Sequence, residues 1–240
     1  MRPLELVIPL LLAIYLIVPT PRPLIIRMLP IGALVLALIH FFVEGYRWQM
    51  IPLYALTLLQ MMFSFFGVEP KRMGSFLTLV LLAVSTALPF LLPVPSIPAS
   101  SGPYQVGTRI YELTDPSRQE IYSGKDEPRR FQIQVWYPSE SGSAYERAPW
   151  MANAELFAPA IARYIRMPSF FLDHLKLVRM PAYKESKVAP TEKGYPLVLF
   201  SHGWNGFNAQ NTGQAIQLAS HGYVVVGVQH TYGAVITVFR

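Results

Sequence analysis

The 240-residue sequence predicts two architectures in one chain: an N-terminal all-α bundle of four transmembrane helices, then the first part of an α/β fold. The expected sheet is incomplete, doubly wound and mostly parallel. Two observations predict the bundle: positions 1–94 hold only nine charged residues, and four long apolar stretches fill them. A third predicts the sheet. Two short apolar runs, at 196–201 and 223–228, flank a glycine-bearing turn and a helical pattern. Runs that brief suit strands buried on both faces better than helices.

The apolar stretches are 4–18, 24–43, 50–68 and 75–94. A span needs about 17–25 residues, so the last three qualify, while the first is shorter and carries Pro9. Only Pro19-Thr20-Pro21-Arg22-Pro23 follows it, with no small-x-small cleavage site, so four spans are counted, with three as the fallback and an inverted topology in that case. Arg27 lies close enough to a helix end to snorkel, and Gln60, in mid-span, is expected to bond a neighbouring helix. No proton relay or paired ion site is legible, so the bundle reads as an anchor in a lipid bilayer. Arg22, Arg27, Lys71 and Arg72 flank one set of loops, against Arg2 and Arg47 on the other, with Arg109 at the limit of what counts. The excess of basic residues marks the cytoplasmic side, which predicts a multi-pass protein with its C-terminal domain outside the cytoplasm.

Charged residues make up 14% of the chain, well below the roughly 25% of soluble domains. Cysteine is absent, which excludes disulfides and thiolate metal sites. The net charge of +6 divides evenly, with six basic and three acidic residues in 1–94 and fourteen basic and eleven acidic in 95–240. Such a spread offers no nucleic-acid stripe and fits mild attraction to anionic lipid.

Residues 95–103 form a Pro-rich tether, which places the domain boundary between an anchor at 1–94 and an α/β domain at 104–240. Strands are expected at 105–113 and 131–137, the second with Phe131, Ile133, Val135 and Tyr137 on one face, joined by a polar loop at 115–130. Residues 150–190 read as a lid-like insertion. There Leu156, Phe157, Ala160, Ile161, Tyr164 and Ile165 share a helical face, with Arg163 and Arg166 turned away, and Phe171, Leu175 and Val178 repeat the pattern. An apolar face bordered by basic residues either covers a crevice or lies in a membrane interface.

The strand at 196–201 runs into Ser201-His202-Gly203-Trp204-Asn205-Gly206, where two glycines three apart allow unusual backbone conformations. A helix follows at 210–221, with Ile216 and Ala219 on one face and His221-Gly222 as its stop. With the next strand this makes a right-handed βαβ unit, whose ligands bind beyond the carboxyl ends of the strands. Neither G-x-G-x-x-G nor G-x-x-x-x-G-K-[ST] is present, so the turn is no phosphate loop. Its main-chain N–H groups suit an oxyanion hole.

At Tyr195-Pro-Leu-Val-Leu-Phe-Ser-His-Gly203 and Leu218-Ala-Ser-His-Gly-Tyr-Val-Val-Val-Gly-Val-Gln-His230 the chain resembles α/β-hydrolases of the platelet-activating factor acetylhydrolase family. Gly107-Thr-Arg and Val135-Trp-Tyr-Pro138 match more weakly, and the resemblance covers about 103–240. It implies a serine ester hydrolase acting on short-acyl phospholipids or similar esters, with no metal or organic cofactor, which the apolar N-terminal stretches would anchor in a membrane. It implies the Trp204 N–H as one oxyanion donor, its indole shaping the acyl pocket, with His202, Gly203 and Gly206 supporting the turn and Phe207 and His230 as pocket candidates. Gln229 departs from the acidic residue that relatives usually carry before the histidine.

In this fold the triad runs serine, acid, histidine, with the serine in a G-x-S-x-G elbow. No glycine pair here is so spaced around a serine, so the elbow is expected beyond Arg240 and residues 1–240 alone are expected to be inactive. His202 precedes any such elbow and is read as bracing the turn; Ser201 has no elbow around it and is not read as the nucleophile. His221 suits a helix C-terminus, and His230 serves pocket or packing equally well. The alternatives are a general carboxylesterase of the dienelactone-hydrolase kind, and a non-catalytic polytopic membrane protein with a degenerate hydrolase-like domain.

Overall fold

The computed structural model describes residues 1–68, 71–140 and 145–239, and the chain divides into two compact units, Met1–Val94 and Pro95–Arg240. The first unit is helical throughout: α1 (Pro3–Ile17), α2 (Leu24–Arg27), α3 (Leu29–Ile39), α4 (Ile51–Phe65) and α5 (Arg72–Leu91). A π-helical turn, His40–Gly45, extends α3, and a 3-10 turn, Trp48–Met50, leads into α4. Ile8, Leu12 and Leu16 of α1 pack with Ala33 and Ala37 of α3, Leu53 and Leu56 of α4 and Leu82 of α5.

Helices thus lie in all four apolar stretches, but among the described residues only Leu24–Gly45 and Arg72–Leu91 are long and apolar enough to cross a membrane. The expectation of four spans is corrected to two candidates. α1 and α4 hold 15 residues each. At about 1.5 Å per residue they reach roughly 22 Å, short of a hydrocarbon core of about 30 Å. Val18, in extended conformation before Pro19, ends α1, and Phe66 leaves helical geometry at the end of α4.

The reading of 1–94 as free of paired ions is also corrected. Glu5 and Arg47 are both buried and lie 2.5 Å apart, with Arg2 at 2.9 Å from the same carboxylate. His40 joins them, 3.4 Å from Glu5 on one side and 2.5 Å from the Tyr54 hydroxyl on the other. Sequence spacing hides this group because its members come from four separate segments. Gln60, expected to bond a neighbouring helix, is fully buried with neither amide atom partnered among the described residues.

The second unit is a six-stranded sheet in the order β3-β4-β1-β2-β6-β5. Its strands are β1 (Gln105–Gln119), β2 (Pro128–Ser139), β3 (Arg147–Pro149), β4 (Arg179–Lys184), β5 (Leu197–Ser201) and β6 (Val224–Gln229). The helices are α6 (Ala154–Tyr164) and α7 (Thr212–Ser220). The sheet is mixed, not mostly parallel: β1–β2, β2–β6 and β3–β4 are antiparallel, and only β1–β4 and β5–β6 run parallel. The hairpin of β1 and β2 forces the first of those reversals, because a short connection returns the chain antiparallel.

Particular strands also depart from expectation. β5 lies at the sheet edge with Leu197 60% and Leu199 68% exposed, so it is not buried on both faces. On β2 the more deeply buried face carries Gln132, Gln134 and Trp136, opposite the apolar set that alternation suggested. The glutamines are accommodated by bonding: Gln134 Nε2 donates to Thr108 Oγ1 (3.2 Å) and Gln132 Nε2 to the Val238 carbonyl (3.1 Å). Trp136 meets Ala215, Ile216 and Ala219 of α7 and Val225 of β6 in the core. The insertion at 150–190 ends in β4, which pairs with β1, so its last part belongs to the sheet. α6 buries Ala154, Phe157, Ala158 and Ala162 and leaves Leu156 and Tyr164 exposed, a different face from the one expected. The tether is extended but not free. Ile97 packs on the core, and Tyr104 N–H donates to the Ser220 carbonyl at the end of α7 (3.1 Å).

Candidate active site

β5 and β6 run parallel in register, Ser201 beside Val228, so their carboxyl ends open on the same edge. The chain leaves β5 into the turn at 202–207 and leaves β6 at His230. The left-handed residue of the turn is Asn205 (φ 58°), a residue type whose short polar side chain tolerates that conformation. Gly206 is required for space, since a β-carbon there would meet the Gly203 carbonyl at 3.0 Å. Gly203 has neither positive φ nor any atom within 4 Å of such a carbon, so the demand for glycine falls on one position of the pair.

The turn's amides divide into bonded and free. Asn205 N–H donates to the Gly233 carbonyl (2.9 Å) and Gly206 N–H to that of Gly203 (2.9 Å). The Trp204 N–H has no acceptor among the described residues, and its side chain is 82% exposed. A main-chain donor left unbonded beside two that are bonded is held in place by its neighbours and available to a ligand.

His202 is buried. Its Nδ1 lies 2.7 Å from the Gly203 carbonyl, and its Nε2 accepts the His230 N–H at 3.2 Å. One tautomer satisfies both contacts, with the proton on Nδ1, so the ring braces the turn and has no lone pair left for a substrate. His230 stacks edge-on to it, ring centres 4.9 Å apart. Burial holds the His230 imidazole below its ordinary range, and the charge of Arg129 adds to the effect.

The structure brings together a pair that sequence reasoning missed: Ser201 Oγ lies 2.7 Å from His230 Nε2. It is not a serine–histidine couple primed for attack. No carboxylate among the described residues bonds the other imidazole nitrogen, and Arg129 opposes the imidazolium that a general base must become. The other missed residue is Gln229, fully buried, whose Oε1 accepts the Asn208 N–H at 2.7 Å. Its departure from an acidic residue was the only sequence signal. Phe207 lies among Trp150 and Phe157, with ring centres 6.0 and 6.1 Å away, in a small cluster that includes Met151. His221, at the end of α7, has Nδ1 2.9 Å from the Gln217 carbonyl.

A cavity of about 250 Å³ lies against β1, β3 and β4, lined by Thr108, Gln134, Ala148, Asn153 and Met180, away from the turn. In the first unit, Glu5, His40 and Glu44 bring possible ligand atoms within 4.8 Å of one another. Two guanidinium groups already hold the Glu5 carboxylate, so this is a neutralised charge cluster and a poor fit for a metal ion.

A curled mixed sheet whose parallel pair is joined by a turn and a helix, with an unbonded amide beyond the strand ends, defines an α/β-hydrolase-like protein. Within that class, residues 93–240 match the model of platelet-activating factor acetylhydrolase, isoform II, and the chain belongs to that family. Platelet-activating factor acetylhydrolase of Cavia porcellus is 34% identical over 139 residues, which is 56% of this chain and 29% of that protein. A putative phospholipase A2 of Schizosaccharomyces pombe is 28% identical over 56% of this chain and 32% of its own. A probable 1-alkyl-2-acetylglycerophosphocholine esterase of Arthroderma benhamiae is 28% identical over 67% of this chain and 43% of its own. The chain therefore spans less than half the length of these curated relatives.

Proposed function

We propose that this chain carries the oxyanion half of a membrane-anchored serine ester hydrolase, acting on phospholipids or related esters with a short acyl group. The observation that carries the reading is the unbonded Trp204 N–H at the carboxyl end of β5, in a chain of this family. The relatives' names support the substrate class, since acetylhydrolase, phospholipase A2 and acetylglycerophosphocholine esterase all denote cleavage of a glycerophospholipid ester. The apolar helices at Leu24–Gly45 and Arg72–Leu91 support anchoring.

In this mechanism a serine attacks the ester carbonyl and negative charge develops on its oxygen. The Trp204 amide donates to that oxygen in the tetrahedral intermediate, with a second donor following the nucleophile. The bonds of Asn205, Gly206 and His202 keep the amide in place before substrate arrives, so little reorganisation accompanies the reaction. In the family's order the nucleophilic serine comes first, then its acid and its histidine. The test is hydrolysis of an acetyl-glycerophospholipid by the full-length protein in nanodiscs, with fluorophosphonate labelling in parallel. Turnover that fluorophosphonate abolishes is expected; absence of both labelling and turnover would overturn the reading.

A further inference from the structure

We propose that Gln229 is a positioning residue for the oxyanion turn, its side-chain amide holding the exit of the turn and the segment after β6 at the same time. The inference rests on the reading of Trp204 N–H as an oxyanion donor. Gln229 is fully buried at the end of β6. Its Oε1 accepts the Asn208 N–H at 2.7 Å, and its Nε2 donates to the Ile236 carbonyl at 2.6 Å, with Thr237 Oγ1 at 3.4 Å. Two residues back on the same face of β6, Gly227 leaves room for the same partner: a β-carbon there would stand 2.7 Å from the Asn208 carbonyl oxygen. β6 thus receives one residue of the turn's exit twice, with space at 227 and an acceptor at 229.

The segment on the other side of Gln229 closes on the turn as well. Val235 N–H donates to the Gly206 carbonyl at 3.2 Å, and Asn205 N–H donates to the Gly233 carbonyl at 2.9 Å. The free amide at 204 therefore lies within a ring of contacts that passes through the Gln229 side chain. That ring needs an acceptor and a donor on one side chain, and an amide supplies both. A carboxylate supplies acceptors only and would face the Ile236 carbonyl with no proton between them. Protonating the carboxyl restores the donor.

The experiment compares wild type, Gln229→Glu, Gln229→Leu and Trp204→Pro in the full-length protein in nanodiscs. It measures kcat and KM on an acetyl-glycerophospholipid from about pH 8 down to about pH 5.5, each variant taken as a ratio to wild type at the same pH. Gln229→Glu is expected to lower kcat about 10- to 100-fold at the alkaline end with KM within about twofold, and to recover as the pH falls. Gln229→Leu is expected to lose kcat with no such recovery. A Gln229→Glu ratio that stays near one, or that is depressed equally at every pH, would overturn the positioning role. Because both ends of that profile come from one folded sample, the result does not depend on how Gln229→Leu folds. Loss of turnover in Trp204→Pro alongside an unaffected Gln229→Glu would sink this inference alone, whereas an active Trp204→Pro would sink the oxyanion reading beneath it.

Discussion

His230 shows how much of a residue's chemistry comes from its surroundings. Its ordinary pKa of 6.5 is lowered first by burial and then by the charge of Arg129, which favours the neutral ring in the folded protein. The folded state then binds fewer protons at this site than the unfolded chain. Its contribution to stability is complete above pH 6.5 and is lost as the pH drops toward the lowered folded value. Wild type is therefore expected to lose melting temperature on acidification below about pH 6.5, and His230→Gln to lose less. Parallel melting curves for the two would contradict this. Sequence made His202 legible as a brace, because its place before any elbow barred it from acting as the triad histidine. It could not show that Ser201 reaches His230, since that contact depends on β5 and β6 being in parallel register. Nor could it show that Asn205, and not a glycine, takes the left-handed position.

Among the elements, α5 shows why buried charge belongs in an apolar bundle. Pro93 has no N–H for the Pro89 carbonyl, the acceptor four residues back, and the Leu92 carbonyl lies past the end of the helix. Arg47 supplies both missing donors, at 3.3 and 2.7 Å, and Glu5 of α1 neutralises it. Removing one partner strands the other charge, so Glu5→Ala is expected to destabilise the first unit by about 3–5 kcal/mol in thermal unfolding of the solubilised protein. An unchanged midpoint would show that the pair holds nothing. Gln60 leads to the opposite expectation. Both its amide atoms are buried without partners among the described residues, so Gln60→Leu is expected to raise stability by about 1–3 kcal/mol. A loss of stability would mean that a bound water satisfies the amide. Hydropathy found the apolar stretches that hold these helices, because each is set by a local run of residues. The Arg47 clamp was illegible because its partners lie 42 and 45 residues away, Glu5 on α1 and Pro89 and Leu92 at the end of α5.

At the scale of the molecule, pattern served the parallel end of the sheet best. The β5–turn–α7–β6 unit is built from contiguous sequence, so its order and its helix could be read from local signals. The other side of the sheet could not. β4 approaches β1 from within a segment that reads as helical, and the buried face of β2 is the one bearing glutamines, which only hydrogen bonds to Thr108 and Val238 make tolerable. The function proposed for the whole rests on a small part of it, the Trp204 amide that the turn leaves unbonded. Proline at position 204 removes that N–H, whereas alanine removes only the indole. The direct test is therefore kcat of Trp204→Pro and Trp204→Ala in the full-length protein, with melting temperatures to confirm that both remain folded. The account predicts that alanine retains kcat within about tenfold while proline loses about 10²–10³-fold. Equal kcat in the two folded variants would contradict it.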